Sequence, residues 1–292
     1  MPALELIVLG AIWGASFLFM RVGTPEFGPL PLILVRVGVA CLVLLPVMAQ
    51  AAARQQVRKN WWALLVVGAT NSALPFCLFA WSTLYLNAGM DAILNATTPL
   101  WGALIAYVWL KTPLTRDQSL GMLLGVTGVI ILAWPTVQHG QASTLPAMLA
   151  VLLATASYGF SGHYSRRHLG DVSPYVNAWG SQFFATLLLA LPALWLWPQH
   201  APDTHAWAAV LTLGLLCTGL AYVIFFRLIR ARGAAFAISV TFLIPLFGVT
   251  WGALFLAEPV GFELVIGGAV ILVGIAMTTG KLKLLPQRWA TA

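Results

Sequence analysis

Charge is what this sequence has least of. Only 8% of its 292 residues are Asp, Glu, Lys or Arg, against 60% hydrophobic residues, whereas soluble domains carry about a quarter charged residues. A chain so poor in charge has no means of covering a globule with hydrated surface, and a mean hydropathy of +0.90 points to lipid as its solvent. Cysteine is scarce as well. Cys41, Cys77 and Cys217 all lie in apolar runs without CxxC or CxxH spacing, which gives no sign of a disulfide framework or a zinc site; no cofactor is expected. No Asp, Glu or Lys lies near the middle of an apolar run, and Glu5, Asp91, Glu258 and Glu263 are all close to ends. Proton-coupled carriers usually rely on a membrane-embedded carboxylate or histidine, so gradient-driven movement of a neutral or zwitterionic solute fits better. A basic leader is missing too: the first apolar run begins almost at Met1, and it reads as a first span rather than a cleaved signal.

What is present is a series of apolar runs of membrane-crossing length, for which about 20 residues suffice. They fall at roughly 3–22, 31–51, 61–84, 90–110, 118–136, 145–165, 174–197, 206–229, 235–257 and 262–280. This predicts an all-α integral membrane protein of ten transmembrane helices. The net charge of +7 does not indicate nucleic-acid binding, which needs a basic stripe on a folded surface; here the cations sit in short gaps. Arg54, Arg58 and Lys59 follow span two, Lys111 and Arg116 span four, and Arg166 and Arg167 span six. Arg227, Arg230 and Arg232 flank the end of span eight, and Lys281, Lys283 and Arg288 follow span ten. All of these fall on one side, leaving Arg21 opposite and Arg36 inside span two, which predicts cytoplasmic N- and C-termini.

Displacing the sequence on itself by 146 positions aligns Pro46 with Pro192, Trp61 with Trp207, Gly68 with Gly214, Pro99 with Pro245, Gly102 with Gly248 and Pro113 with Pro259. Near the same offset, Trp13-Gly14 meets Tyr158-Gly159 and Ser16 meets Ser161. Each half holds five spans, an odd number, so the second half enters the membrane from the other side. Inverted repeats of this kind place a solute site near the midplane between the halves. The halves are read as residues 1–136 and 145–280, followed by a short basic cytoplasmic tail, 281–292.

Pro99 and Pro245 lie near the centres of spans four and nine, where each removes a backbone donor and frees a carbonyl four residues back; they are the expected hinges. Around them, weakly polar stripes recur in both halves: Trp13, Ser16 and Phe17; Asn71, Leu78, Phe79 and Ser82; Asn95, Thr98 and Trp101; Tyr158, Ser161 and His163; and Tyr222. Interhelical hydrogen bonding explains any one of these, but the recurrence favours a cavity, aromatic-walled if the tryptophans line it. Arg36, with its repeat mate Gln182, has three readings: a structural charge near a membrane surface, a gate formed with Asp91, or a contact for a solute carboxylate. Glycines in spans five and ten, among them Gly121, Gly128, Gly267 and Gly274, favour close packing inside a monomer over a dimer face. An intramembrane enzyme would need a constellation such as HExxH or paired midspan aspartates; neither is present, and Ser161 and His163, two apart, do not share a helix face.

With Trp13-Gly14-Ala15-Ser16-Phe17 in span one, and Gly233-Ala234-Ala235, Pro245, Glu258-Pro259 and Gly267 in the second half, the chain resembles the drug/metabolite transporter superfamily, specifically its EamA-type ten-helix exporters. Among these it looks most like the YddG-type exporters of aromatic amino acids. The resemblance implies an inner-membrane exporter of amino acids or similar metabolites working by alternating access, with an exporter of other drugs or metabolites, or a channel-like facilitator, as the alternative. The implied partners are a small-molecule solute and the lipid bilayer. Lys111-Thr112-Pro113 departs from the family pattern, which often has Glu before this proline. The charge asymmetry carries a direct prediction: in a chain stripped of its native cysteines, single cysteines placed near either terminus are modified by an impermeant thiol reagent from the same face. Labelling from opposite faces would overturn the five-plus-five reading.

Overall fold

The computed structural model describes residues 2–139 and 143–283, so most of the predicted basic tail, 284–292, lies outside the described residues. Every regular element among them is helical. The apolar helices are α1 (Pro2–Phe27), α2 (Pro29–Ala49), α3 (Trp61–Ser82), α4 (Ala88–Leu110), α5 (Arg116–His139), α6 (Thr144–His168), α7 (Pro174–Trp195), α8 (Thr204–Arg232), α9 (Ala234–Leu256) and α10 (Phe262–Thr278). Nine of them, α1 to α9, are long and apolar enough to cross a membrane; α10 is apolar but has only 17 residues. A short polar helix, Ala51–Lys59, joins α2 to α3. The outward faces stay apolar, as Leu123, Val126 and Ile130 on α5 and Leu187, Leu191 and Leu194 on α7 illustrate, because their solvent is hydrocarbon rather than water.

The boundaries follow from local chemistry. Gly28, at φ 75°, supplies a corner few other residues adopt, and Pro29 then opens α2 where a missing N–H costs nothing. Helices α4 and α9 end in the same way, on Lys111 at φ 57° and Ala257 at φ 52°. The Thr112 N–H then donates back to the Ala106 carbonyl at 3.1 Å, and that of Glu258 to Gly252 at 3.2 Å. Pro113 and Pro259 follow and stop the helix. These positions are 146 apart, so the repeat read from sequence is also a repeat of backbone geometry.

The repeat mates α5 and α10 pack against each other and run antiparallel: Gly121 lies against Gly274, and Gly128 against Gly267 and Ile271. Likewise Gly252 of α9 lies near Ala88 of α4 while Gly248 lies near Ala92, which makes α4 and α9 antiparallel. Two structurally equivalent helices that meet antiparallel are related by an axis perpendicular to their length. The glycines make the contact possible: a Cβ on Gly128 would stand 2.6 Å from Ile271 Cγ1 and 2.8 Å from the Gly267 carbonyl oxygen. Gly128→Val should therefore cost about 1–3 kcal/mol through overpacking, seen as a lower thermal midpoint in detergent. An unchanged midpoint would show that α5 and α10 separate readily.

Candidate functional site

Four helices are irregular near their centres, in matched pairs. Helix α3 widens into a π turn at Ala69–Ala73, and α8 at Leu215–Leu220, starting 146 residues apart. Helix α4 breaks between Asn95 and Thr98. Helix α9 passes through a tight 3-10 segment, Ser239–Phe242, before resuming at Leu243. Each of the last two breaks precedes its proline, Pro99 or Pro245, which withholds an N–H from the preceding turn. The Asn95 carbonyl freed by Pro99 accepts the Thr98 hydroxyl at 2.8 Å; the equivalent of Thr98 in α9 is Ile244, which brings no hydroxyl.

Between these irregular segments lies a cavity of about 270 Å³. Of the residues singled out in the sequence, Trp13, Ser16, Phe17, Asn71, Phe79, Asn95, Thr98, Pro99, Tyr158 and Tyr222 line it, and so does Arg36. One wall is aromatic: Phe17 meets Phe79 edge-on at 5.5 Å, and Phe79 stacks on Tyr158 at 6.1 Å. The other wall is polar, with the Asn71 amide donating to the Tyr222 hydroxyl at 3.3 Å and Arg36 Nε donating to Thr218 Oγ1 at 3.0 Å. No acidic side chain among the described residues lines the cavity. A second hollow, about 370 Å³, lies among Tyr85, Asn87, Pro259 and Glu263 at helix ends; none of the sequence-derived residues line it.

Several expected residues lie elsewhere. Trp101 is not in the cavity wall: the break at residues 96 and 97 resets the helix phase, and Trp101 is pressed onto Gly159, where a Cβ would come within 3.2 Å of its own. His163 is turned the same way and donates from Nε2 to the Gly102 carbonyl at 2.9 Å. Leu78 packs against the main apolar core, Ser161 is buried in the bundle, and the Ser82 hydroxyl donates to Asp91 Oδ1 at 2.8 Å. The Arg36–Asp91 pair, one of the readings open for Arg36, does not form among the described residues either. Asp91 is held by Ser82, whereas Arg36 reaches across to Thr218 in the middle of α8, far from a helix-end snorkelling position. Its mate Gln182 donates to Ser72 Oγ at 2.9 Å. Of the hinges, Pro99 is at the cavity and Pro245 is buried in α9.

The sequence reading missed Met20, Phe76, Cys217, Thr241 and Ile244 as lining residues. Apolar liners carry no signature that separates them from core. Thr241 did carry one, since it is the repeat mate of Asn95 at the second break.

One end of the bundle is tied. Arg21 donates through a short bond to the Thr83 carbonyl and lies 3.8 Å from Glu258 Oε1. Both Glu258 oxygens accept from the Ala88 N–H, at 3.0 and 2.9 Å, capping the start of α4 with negative charge. At the repeat-related position Thr112 replaces Glu258, so that cap is not repeated; the other end carries the more exposed Arg227–Glu5 pair at 2.8 Å.

With this geometry in view, comparisons with known proteins become informative. The model of the EamA-like transporter family matches residues 1–134 and 145–280. Over most of both lengths the chain is similar to the uncharacterized transporter YoaV of Bacillus subtilis (strain 168), with 22% identity, 94% of this chain and 96% of the relative covered. It is also similar to the "Probable terminal-alkyne amino-acid exporter" of Streptantibioticus cattleyicolor, with 25% identity, 93% and 91% covered. A solved crystal structure at 18% identity shares the fold with a TM-score of 0.66, covering 97% of this chain and 99% of that one. Family and relatives are transporters, not enzymes. The chain is a multi-pass membrane protein of the drug/metabolite transporter superfamily and belongs to the EamA-like transporter family.

Proposed function

We propose that the protein exports small neutral or zwitterionic metabolites, amino acids with aromatic or apolar side chains foremost, by alternating access through the central cavity. The observation that carries this reading is the convergence of four matched helix irregularities on one aromatic-walled chamber between the two halves. Discontinuous helices at corresponding places of two repeats are the usual construction of a transporter site. In this reading α10 is the tenth span, the halves are residues 1–136 and 145–280 in inverted orientation, and both termini face the cytoplasm of a cell whose inner membrane holds the protein as a monomer. The amino-acid assignment draws support from the relative named as an amino-acid exporter and from the cavity's composition, which offers rings, hydroxyls and amides but no acid. A cavity of about 270 Å³ sits just below the range for drug-sized ligands, about 300–1,000 Å³, as suits a single small metabolite.

Purified protein in liposomes should show saturable counterflow of labelled L-phenylalanine, inhibited by other amino acids in proportion to their apolar side chains. Flux that rises linearly with concentration would indicate a channel instead, and the absence of amino-acid flux would overturn the substrate reading.

The tied end gives the outer gate in this reading. The partly exposed Arg21–Glu258 pair contributes little by itself, and the stronger element is the carboxylate on the α4 N-terminus, whose loss weakens a helix cap by about 1 kcal/mol. Glu258→Ala should therefore raise, by about fivefold, the rate at which an impermeant thiol reagent added outside reaches a Ser16→Cys reporter in a chain without other cysteines. An unchanged rate would remove Glu258 from the gate.

A further inference from the structure

The internal repeat provides its own control for what Arg36 does. Arg36 and Gln182 are 146 positions apart, and so are the hydroxyl residues they reach, Ser72 and Thr218. Each of these hydroxyls lies in the π turn of α3 or α8, and each accepts one bond from the opposite half: Thr218 from Arg36 at 3.0 Å, Ser72 from Gln182 at 2.9 Å. The same clasp is thus made twice, once by a cation and once by a neutral amide. Tying α2 or α7 to the facing bulge does not require a charge.

The charge of Arg36 therefore needs a separate account, because an ionised group held away from bulk water is costly unless something compensates it. Arg36 is 5% exposed, and what remains exposed faces the cavity; Gln182 is fully buried and lies outside the lining. No carboxylate meets Arg36: the ion pairs among the described residues are Arg21–Glu258 and Arg227–Glu5. Its guanidinium lies 3.6 Å from the centre of the Phe76 ring and donates a weak bond to Met20 Sδ at 3.6 Å. A fixed planar cation with spare donors, in a chamber without acid, is a receptor for a carboxylate.

We propose that Arg36 anchors the carboxylate of the transported solute, and that the substrate class is small monocarboxylates bearing an apolar or aromatic group, zwitterionic amino acids included. This rests on the transport reading above and shifts its substrate class, keeping the zwitterions and adding carboxylates that lack an ammonium. The aromatic wall of Phe17, Phe79 and Tyr158 receives the solute's ring. An amino group meets ring faces and neutral oxygens, those of Ser16, Asn95, Thr98 and Thr241 among them, but no carboxylate among the described residues, so the carboxylate is required and the ammonium is not.

The test pairs substrate and protein variants in proteoliposome counterflow, with L-phenylalanine, phenylpropionate, L-phenylalaninamide and phenethylamine as probes. Wild type should move the two carboxylates and neither amine lacking one. Arg36→Gln copies the residue the other half already uses for the clasp, so it should fold, checked by its elution profile and thermal midpoint. It should lose apparent affinity for both carboxylates by about ten- to a hundredfold, and Arg36→Lys should recover part of that loss. Phenylalanine transport unaltered in Arg36→Gln overturns the anchor while leaving the amino-acid reading intact. Transport of phenylpropionate without phenylalanine keeps the anchor and overturns the amino-acid reading. Equal transport of phenylalanine and its amide by wild type, or no carboxylate transport at all, overturns the anchor even if the variant does not fold.

Discussion

Everything in this molecule depends on the satisfaction of backbone polar groups in a solvent that offers no hydrogen bonds. A helix in hydrocarbon is free to break only where protein or a wet chamber takes over the released groups. Helices α3, α4, α8 and α9 are all irregular, and the partners are visible. The Ser157 hydroxyl of α6 donates at 2.6 Å to the Thr70 carbonyl in the α3 π turn, and the Thr218 hydroxyl donates at 3.0 Å to the Leu213 carbonyl beside the α8 turn. Thr98 performs the same service for Asn95. The cavity lies where the helices break, and nearby hydroxyls take up backbone groups that the breaks in α3, α4 and α8 release.

The repeat makes the exceptions informative. Backbone features recur with little change: left-handed caps at Lys111 and Ala257, π turns in α3 and α8, prolines in α4 and α9. Side-chain chemistry diverges at many equivalent places, among them those where Arg36 faces Gln182, Thr112 faces Glu258, and Thr98 faces Ile244. The recurring backbone features do not by themselves call for these differences. These three lie at the chamber and at one of its ends, where the two sides of a membrane impose different demands.

Much of this was legible in the residues. Apolar runs gave the helices because hydrocarbon leaves few alternatives, and the 146-residue offset gave the pairing of halves because Pro, Gly and Trp are poorly interchangeable. The prolines located the breaks. What periodicity missed was the effect of those breaks on phase: beyond residues 96 and 97 the α4 stripe rotates, which carries Trp101 onto Gly159 and leaves His163 bonded to Gly102 rather than facing the chamber. The reach of Arg36 was hidden for a different reason. Its depth in sequence suggested a surface position and Asp91 as partner, whereas a long side chain on α2 extends to the centre of α8 once those helices pack. The π turns have no composition of their own, although the alignment of Ser72 with Thr218 placed a hydroxyl in each.

Magnitudes decide how the buried cation is tolerated. The effective penalty for removing one ion from water inside a protein is several kcal/mol. Against this, a ring face offsets about 0.5–2 kcal/mol and a hydrogen bond to a charged group about 1.5–3 kcal/mol. At the lower end of these ranges Phe76 and Thr218 together cover only part of the cost. In an open chamber water would supply the rest to the edge of Arg36 that lines it. A chamber that closes around its solute expels such water, and the cation then needs a replacement that travels with the solute. A carboxylate meets that need and a neutral group does not, so in the proposed anchoring one charge both selects the cargo and favours closure around it.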